Sequence, residues 1–174
     1  MKRMFFALWP DQNTRKQCCE VIAKISETEM RPVAADNLHV TLLFLGNISS
    51  EQEQAMIDTA SLLKMPELML TFDQISYWRK PAVLCLTASH FDQKITAVSQ
   101  ELALMAKQNL IEIDERPFQP HVTLARKVKC AIRLEFTAIN WQARDFCLVE
   151  SCSLAKGVEY RVIKRWQSKP PAFV

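Results

Sequence analysis

Glycine is nearly absent from this chain: 174 residues contain only Gly46 and Gly157. That is too few for the glycine-rich loops that cradle phosphates in P-loop and dinucleotide-binding proteins, so any phosphate bound here must be held by side chains. No apolar run approaches the ~20 residues that a membrane-crossing helix needs, and no membrane association is expected. The six cysteines (Cys18, Cys19, Cys85, Cys130, Cys147 and Cys152) show no CxxC pairing and no Cys/His ligand spacing. Cys18 and Cys19 are adjacent in an expected helix, where a mutual disulfide is geometrically poor. Free thiols in a reducing cytoplasm, with no metal and no cofactor, are the expectation. The opening Met1-Lys2-Arg3-Met4-Phe5-Phe6-Ala7-Leu8-Trp9-Pro10 is basic and then apolar. Its apolar part is too short for a secretory core, and it reads as a first strand.

Histidine is scarce too, with three in the chain, and two of these carry a threonine two residues later. The tetrad His39-Val40-Thr41-Leu42 recurs letter for letter as His121-Val122-Thr123-Leu124. Chance would give two His-x-Thr pairs in roughly one chain in a hundred of this composition, and a repeated tetrad less often. Apolar β-formers surround both, with Gly46 after the first and Pro120 before the second, so both read as buried strands. Residues i and i+2 of a strand share a face about 6.5–7 Å apart. Each tetrad therefore offers one imidazole and one hydroxyl to the same surface. Two such strands side by side would surround one site with two imidazoles and two hydroxyls, which is equipment for proton transfer at a charged centre.

Hydrophobic content of 49% with 24% charged residues argues against disorder. A formal charge of +3 permits a polyanionic partner without demanding one. Along the chain, Asp11 is placed to cap a helix running to about residue 26, and Ser50 to Glu53 reads as a capping box opening a second helix to about residue 63. Strands are expected at 68–72 and 82–86, with residues 77–81 separating them. A helix follows from Asp92 to about Gln108, with Ile95, Val98, Leu102 and Met105 on one face. The alternating tail predicts strands at 133–136, 145–150 and 161–166. No linker divides this order, β-α-β-α-β-β-α-β-β-β-β, and it predicts a single domain over 1–174 with two interleaved, pseudo-symmetric α+β lobes.

With both tetrads in view, the chain resembles the 2H phosphoesterase superfamily, named for paired His-x-Thr motifs, and most resembles the bacterial RNA 2′,3′-cyclic phosphodiesterases, also called 2′-5′ RNA ligases. The likeness runs from Met4-Phe5-Phe6-Ala7-Leu8 through Arg31 to Gly46, and through Arg116 to Leu124 with Arg126. It closes with Tyr160 and Lys164-Arg165-Trp166. The motif positions show no departure. The resemblance implies a bilobal α+β fold, two mainly antiparallel sheets flanking a central cleft with helices outside. It implies metal-independent opening of a 2′,3′-cyclic phosphate at an RNA end, or on a nucleotide, to a 2′-phosphate. It also implies ATP-independent joining of tRNA halves through a 2′-5′ bond. His39 would be the acid to O3′, His121 the base for water, Arg126 a phosphate contact, and Phe44 a stacking surface for the terminal base.

The chemistry of the residues agrees. A cyclic phosphodiester opens when a base activates water on one side of phosphorus and an acid protonates the departing ribose oxygen on the other. Imidazole, with an unperturbed pKa near 6.5, suits either role. Thr41 and Thr123 can donate hydrogen bonds to the non-bridging oxygens. Strict alternation, however, puts Phe44 and Arg126 on the face opposite their histidines, unless a bulge or a strand end intervenes before each. His90, without a threonine partner, reads as a loop or capping residue. Trp9, Trp78, Trp141 and Trp166 read as packing more readily than as base platforms. The competing reading from another class is an RNA-end-binding module with vestigial catalytic groups, against which the intact His and Thr pairs argue. A metallohydrolase is weaker, because two histidines without nearby carboxylates make a poor metal site.

Overall fold

The computed structural model of the protein describes residues 1–25, 30–114, 116–155 and 157–168. Among the described residues, ten strands and three helices follow in the order β1 (Lys2–Leu8), α1 (Gln12–Ala23), β2 (Arg31–Pro32), β3 (Val40–Ile48), α2 (Ser50–Ala60), β4 (Leu68–Phe72), β5 (Gln74–Trp78), β6 (Val83–Thr87), α3 (Gln93–Gln108), β7 (His121–Arg126), β8 (Ile139–Ala143), β9 (Asp145–Leu154) and β10 (Gly157–Gln167), with a 3₁₀ turn at Ala35–Asn37 between β2 and β3. Two antiparallel sheets result, as the α+β reading expects. The larger has the order β10-β9-β1-β3-β7-β6-β5 with β2 also on β7, and the smaller pairs β4 with β8.

One face of the large sheet carries the core. Met4, Phe6, Leu8, Val40, Leu42, Leu84, Leu86, Val122 and Leu124 are buried there against Cys18 and Val21 of α1, Met56 and Ala60 of α2, and Ile95, Val98, Leu102 and Ala106 of α3. The small sheet adds Leu70, Phe72, Ile139 and the fully buried Trp141 to the same cluster. Asp11 caps α1 by accepting from the Thr14 N–H, and Asp92 caps α3 by accepting from the Lys94 N–H. The other face of the sheet holds a small separate cluster, Phe5, Ala7, Cys147 and Val149, with Trp9 and Tyr160 packed on it. None of the six cysteines is joined in a disulfide.

The two HVTL strands are neighbours in the large sheet. They meet at one residue pair, Val40 opposite Val122. Past that point β3 leaves β7, and β2 takes its place with Arg31 opposite Arg126 and Pro32 opposite Ala125. A twofold relation through the valine pair brings β3 onto β7, β1 onto β6 and β9 onto β5.

Several local expectations are corrected. The capping box lies one residue earlier, with Ser49 and Gln52 bonding reciprocally. Residues 133–136 form no strand. Their alternation is real, since Ile132, Leu134 and Phe136 lean on the core, but no neighbour supplies a ladder. The hydrogen-bonded strand is Ile139–Ala143, paired with β4. The supposed separator at 77–81 begins inside β5, and the turn is confined to residues 79–82. The expected end of α1 at Ser26 lies outside the described residues.

Candidate active site

Each imidazole is fixed by the same local device. Nδ1 of His39 lies 2.7 Å from the carbonyl oxygen of Asn37, and Nδ1 of His121 lies 2.8 Å from that of Gln119. A carbonyl can only accept, so in both rings Nδ1 carries the proton and Nε2 keeps its lone pair when the ring is neutral. In each half the residue between is buried, Leu38 in one and Pro120 in the other, which anchors the approach to the strand. His39 Nε2 is 3.1 Å from Thr41 Oγ1. Nε2 of His121 makes no hydrogen bond among the described residues, and Thr123 Oγ1 accepts instead from the Cys85 thiol at 3.8 Å.

Two bulges settle where Phe44 and Arg126 point. Between Thr41 opposite Ala7 and Phe44 opposite Phe5, β3 carries one residue more than β1. Between Thr123 opposite Cys85 and Arg126 opposite Val83, β7 likewise carries one more than β6. The extra residues are Leu42 and Leu124, each at the third position after its histidine. Each bulge reverses the alternation. Leu42 and Leu43 are both buried, as are Leu124 and Ala125, while Phe44 (39% exposed) and Arg126 emerge on the face of the imidazoles. The structure thus brings His39, Thr41, Phe44, His121, Thr123 and Arg126 onto one face. Arg3 lies over the Phe44 ring, its guanidinium carbon 4.8 Å from the centroid.

The two halves differ in chemistry. His39 sits in an aromatic nest, with Trp9 stacked on it at 5.7 Å and 12°, Phe5 at 5.0 Å and Tyr160 edge-on at 5.1 Å. His121 has one such neighbour, Trp78 at 4.5 Å, on a floor that also holds Cys85 and the hydrogen-bonded pair Ser76–Thr87. Burial pushes the His39 pKa down to about 4; the Asn37 carbonyl opposes this, and the positive charges of His121 and Arg126 reinforce it. Both imidazoles directly precede the paired Val40 and Val122 and so leave the sheet on the same face. Burial also lowers the pKa of His121, against the pull of the Gln119 carbonyl and with help from Arg126.

The depressed value of His39 has a consequence for stability. Below pH 6.5 the unfolded chain protonates this ring while the folded protein does not, so folding stability falls as pH drops from 6.5 toward 4. His39→Gln is expected to flatten the pH dependence of the urea midpoint across that window. An unchanged slope would contradict the shift.

Trp9, Phe5, Tyr160, Trp78 and Cys85 were not singled out by sequence as parts of the site, although Phe5 and Tyr160 lie in stretches that carry the resemblance. They arrive through sheet pairing across distant segments, and no spacing rule signals that.

Paired His-x-Thr strands at the centre of such a sheet, both imidazoles presenting Nε2 to a shared face, define a phosphoesterase of the two-histidine class. The chain belongs to the LigT-like phosphoesterase family, whose profile (LigT like Phosphoesterase) matches residues 8–85. It is 34% identical over 169 residues to the RNA 2′,3′-cyclic phosphodiesterase of Escherichia coli strain K12, covering 95% of this chain and 96% of that one. Among solved structures it resembles E. coli LigT complexed with 3′-AMP (TM-score 0.90, 32% identity, 97% of this chain and 99% of the other). It also resembles E. coli LigT in apo form (TM-score 0.88, 30% identity, 95% and 96%).

Proposed function

We propose that this protein is an RNA 2′,3′-cyclic phosphodiesterase that opens a terminal cyclic phosphate to a 2′-phosphomonoester. The observation that carries this reading is the matched pair of imidazoles, each tied through Nδ1 to the carbonyl two residues before it. The end-to-end likeness to a relative named for that activity supports it. His121 Nε2 takes a proton from the attacking water as the water oxygen bonds to phosphorus. The P–O3′ bond breaks on the opposite side, and His39 Nε2 gives its proton to O3′. Thr41, Thr123 and Arg126 hold the non-bridging oxygens, where charge builds in the transition state. The base stacks on the Phe44–Arg3 pair. RNA 3′ ends and nucleotides bearing the cyclic phosphate are the substrates, in a reducing compartment such as the cytoplasm, where cysteines stay out of disulfides. A ribose hydroxyl in place of water would use the same groups to join RNA ends, tRNA halves among them, through a 2′-5′ bond.

Both rings lose protons more readily than free imidazole, so His121 is ready as a base at neutral pH. His39, at about 4, must gain its proton together with the substrate, whose anionic phosphate favours the charged ring. The alkaline limb of kcat is therefore expected at higher pH than that of kcat/KM, since kcat reports the complex and kcat/KM the free groups. Coincident limbs would remove this division of labour.

Turnover of adenosine 2′,3′-cyclic phosphate in excess chelator tests the function, with adenosine 2′-monophosphate expected as the product. The 3′ isomer would reverse the assigned leaving group, and no product under any condition would end the reading. Phe44→Ala is expected to raise KM about tenfold with kcat nearly unchanged, the scale of one base–aromatic stack. An unaltered KM would take Phe44 out of base binding.

A further inference from the structure

Arg31 on β2 stands directly opposite Arg126 on β7, so the two guanidinium groups leave the sheet on the same face. Like charges directly opposite on antiparallel strands are destabilising, and their Cβ atoms are about 4.5–5.5 Å apart. Both residues are exposed, and neither forms an ion pair with a described residue. Around them lie Lys127, next in sequence to Arg126, and Arg79 and Lys80 in the β5–β6 turn. The Val128 N–H donates to the Ala82 carbonyl at 3.1 Å, which ties the Lys127 segment to that turn. None of these three is paired with a described carboxylate either. An open surface depression lies beside Arg31, lined also by Met30, Pro32, Leu154, Ala155 and Gly157. A cyclic phosphodiester carries one negative charge and can occupy Arg126 alone. The second arginine and the basic margin behind it remain uncompensated.

We infer that Arg31 forms a second phosphate subsite, which takes the internucleotide phosphate just upstream of the terminal cyclic phosphate and leads the RNA chain into the adjoining depression. This rests on the cyclic-phosphate reading above and adds to it a preference for RNA over a lone nucleotide. Arg31 bears on binding of the chain and not on the reacting phosphorus. The guanidinium opposite Arg126 supplies a bidentate contact to the phosphate, and the open depression beside it gives the preceding nucleoside a path along the surface.

The test compares adenosine 2′,3′-cyclic phosphate with a diadenylate ending in the same cyclic phosphate, for the protein and for Arg31→Gln and Arg31→Lys. The unaltered protein is expected to favour the dinucleotide in kcat/KM. Arg31→Gln should lower the dinucleotide value about tenfold, the scale of one charge-assisted hydrogen bond, and leave the mononucleotide value unchanged. Arg31→Lys should recover part of the loss. For a short oligoadenylate ending in a 3′-phosphate, followed by fluorescence anisotropy, the log–log salt slope of binding should fall by about 0.7 in Arg31→Gln. Equal loss on both substrates, or loss on neither, would overturn the inference while leaving the hydrolase reading intact. If the protein turned over neither substrate, the hydrolase reading itself would fail. The anisotropy measurement would still decide on Arg31, because an unchanged affinity and slope would overturn the subsite.

Discussion

His39→Ala and His121→Ala are each expected to lower kcat on adenosine 2′,3′-cyclic phosphate by about 10²–10⁴-fold, the usual worth of one positioned acid or base. The double variant should lose much less than the product of the two, because proton donor and acceptor act in a single displacement. A substrate with a leaving group that needs no proton separates the roles. On an aryl phosphodiester, His39→Ala should keep most of its activity while His121→Ala does not. Folding is not the obstacle to this test. Both rings hydrogen-bond through Nδ1 only to a local carbonyl, and both lie on the face away from the main core cluster. Near-parental activity in either alanine variant on the cyclic substrate would remove paired acid–base catalysis.

Arg126→Met is the second large loss expected, about 10²–10³-fold in kcat, as for removal of one donor aimed at developing charge. Arg126→Lys should restore only part of it, since an ammonium lacks the planar fork that can hold two phosphate oxygens at once. Arg126→Met should also raise the pKa of His39 and of His121, because the Arg126 charge lowers both, whereas Arg126→Lys keeps that charge. An Arg126→Met protein with unchanged kcat and unmoved histidine titrations would place the guanidinium outside the site.

The repeated tetrad was legible because it is local: i and i+2 share a face over two residues, and no tertiary knowledge is needed. The same rule stopped at position +5. Alternation alone sends Phe44 and Arg126 into the core. Only the register of β1 against β3 and of β6 against β7 reveals the extra Leu42 and Leu124 that turn them back. At residues 132–136 the alternation was sound, but a strand also needs a neighbour, and only the fold supplies one. β5 was missed because Gln74 and Ser76 weaken its apolar pattern. The aromatic nest of His39 was out of reach altogether. Phe5 and Trp9 come from the first strand and Tyr160 from the last, and it is this convergence, which composition cannot report, that separates the titration of His39 from that of a surface imidazole.

The most direct measurement follows the ring carbon-bound protons of both histidines by NMR against pH, with and without adenosine 2′-monophosphate. In the free protein both rings should titrate below 6.5, His39 near 4. With the nucleotide bound both pKa values should rise together, since one phosphate dianion would face both Nε2 atoms. If one ring shifts and the other keeps its free value, the two imidazoles do not address the same phosphorus, and the mechanism proposed for this protein is contradicted.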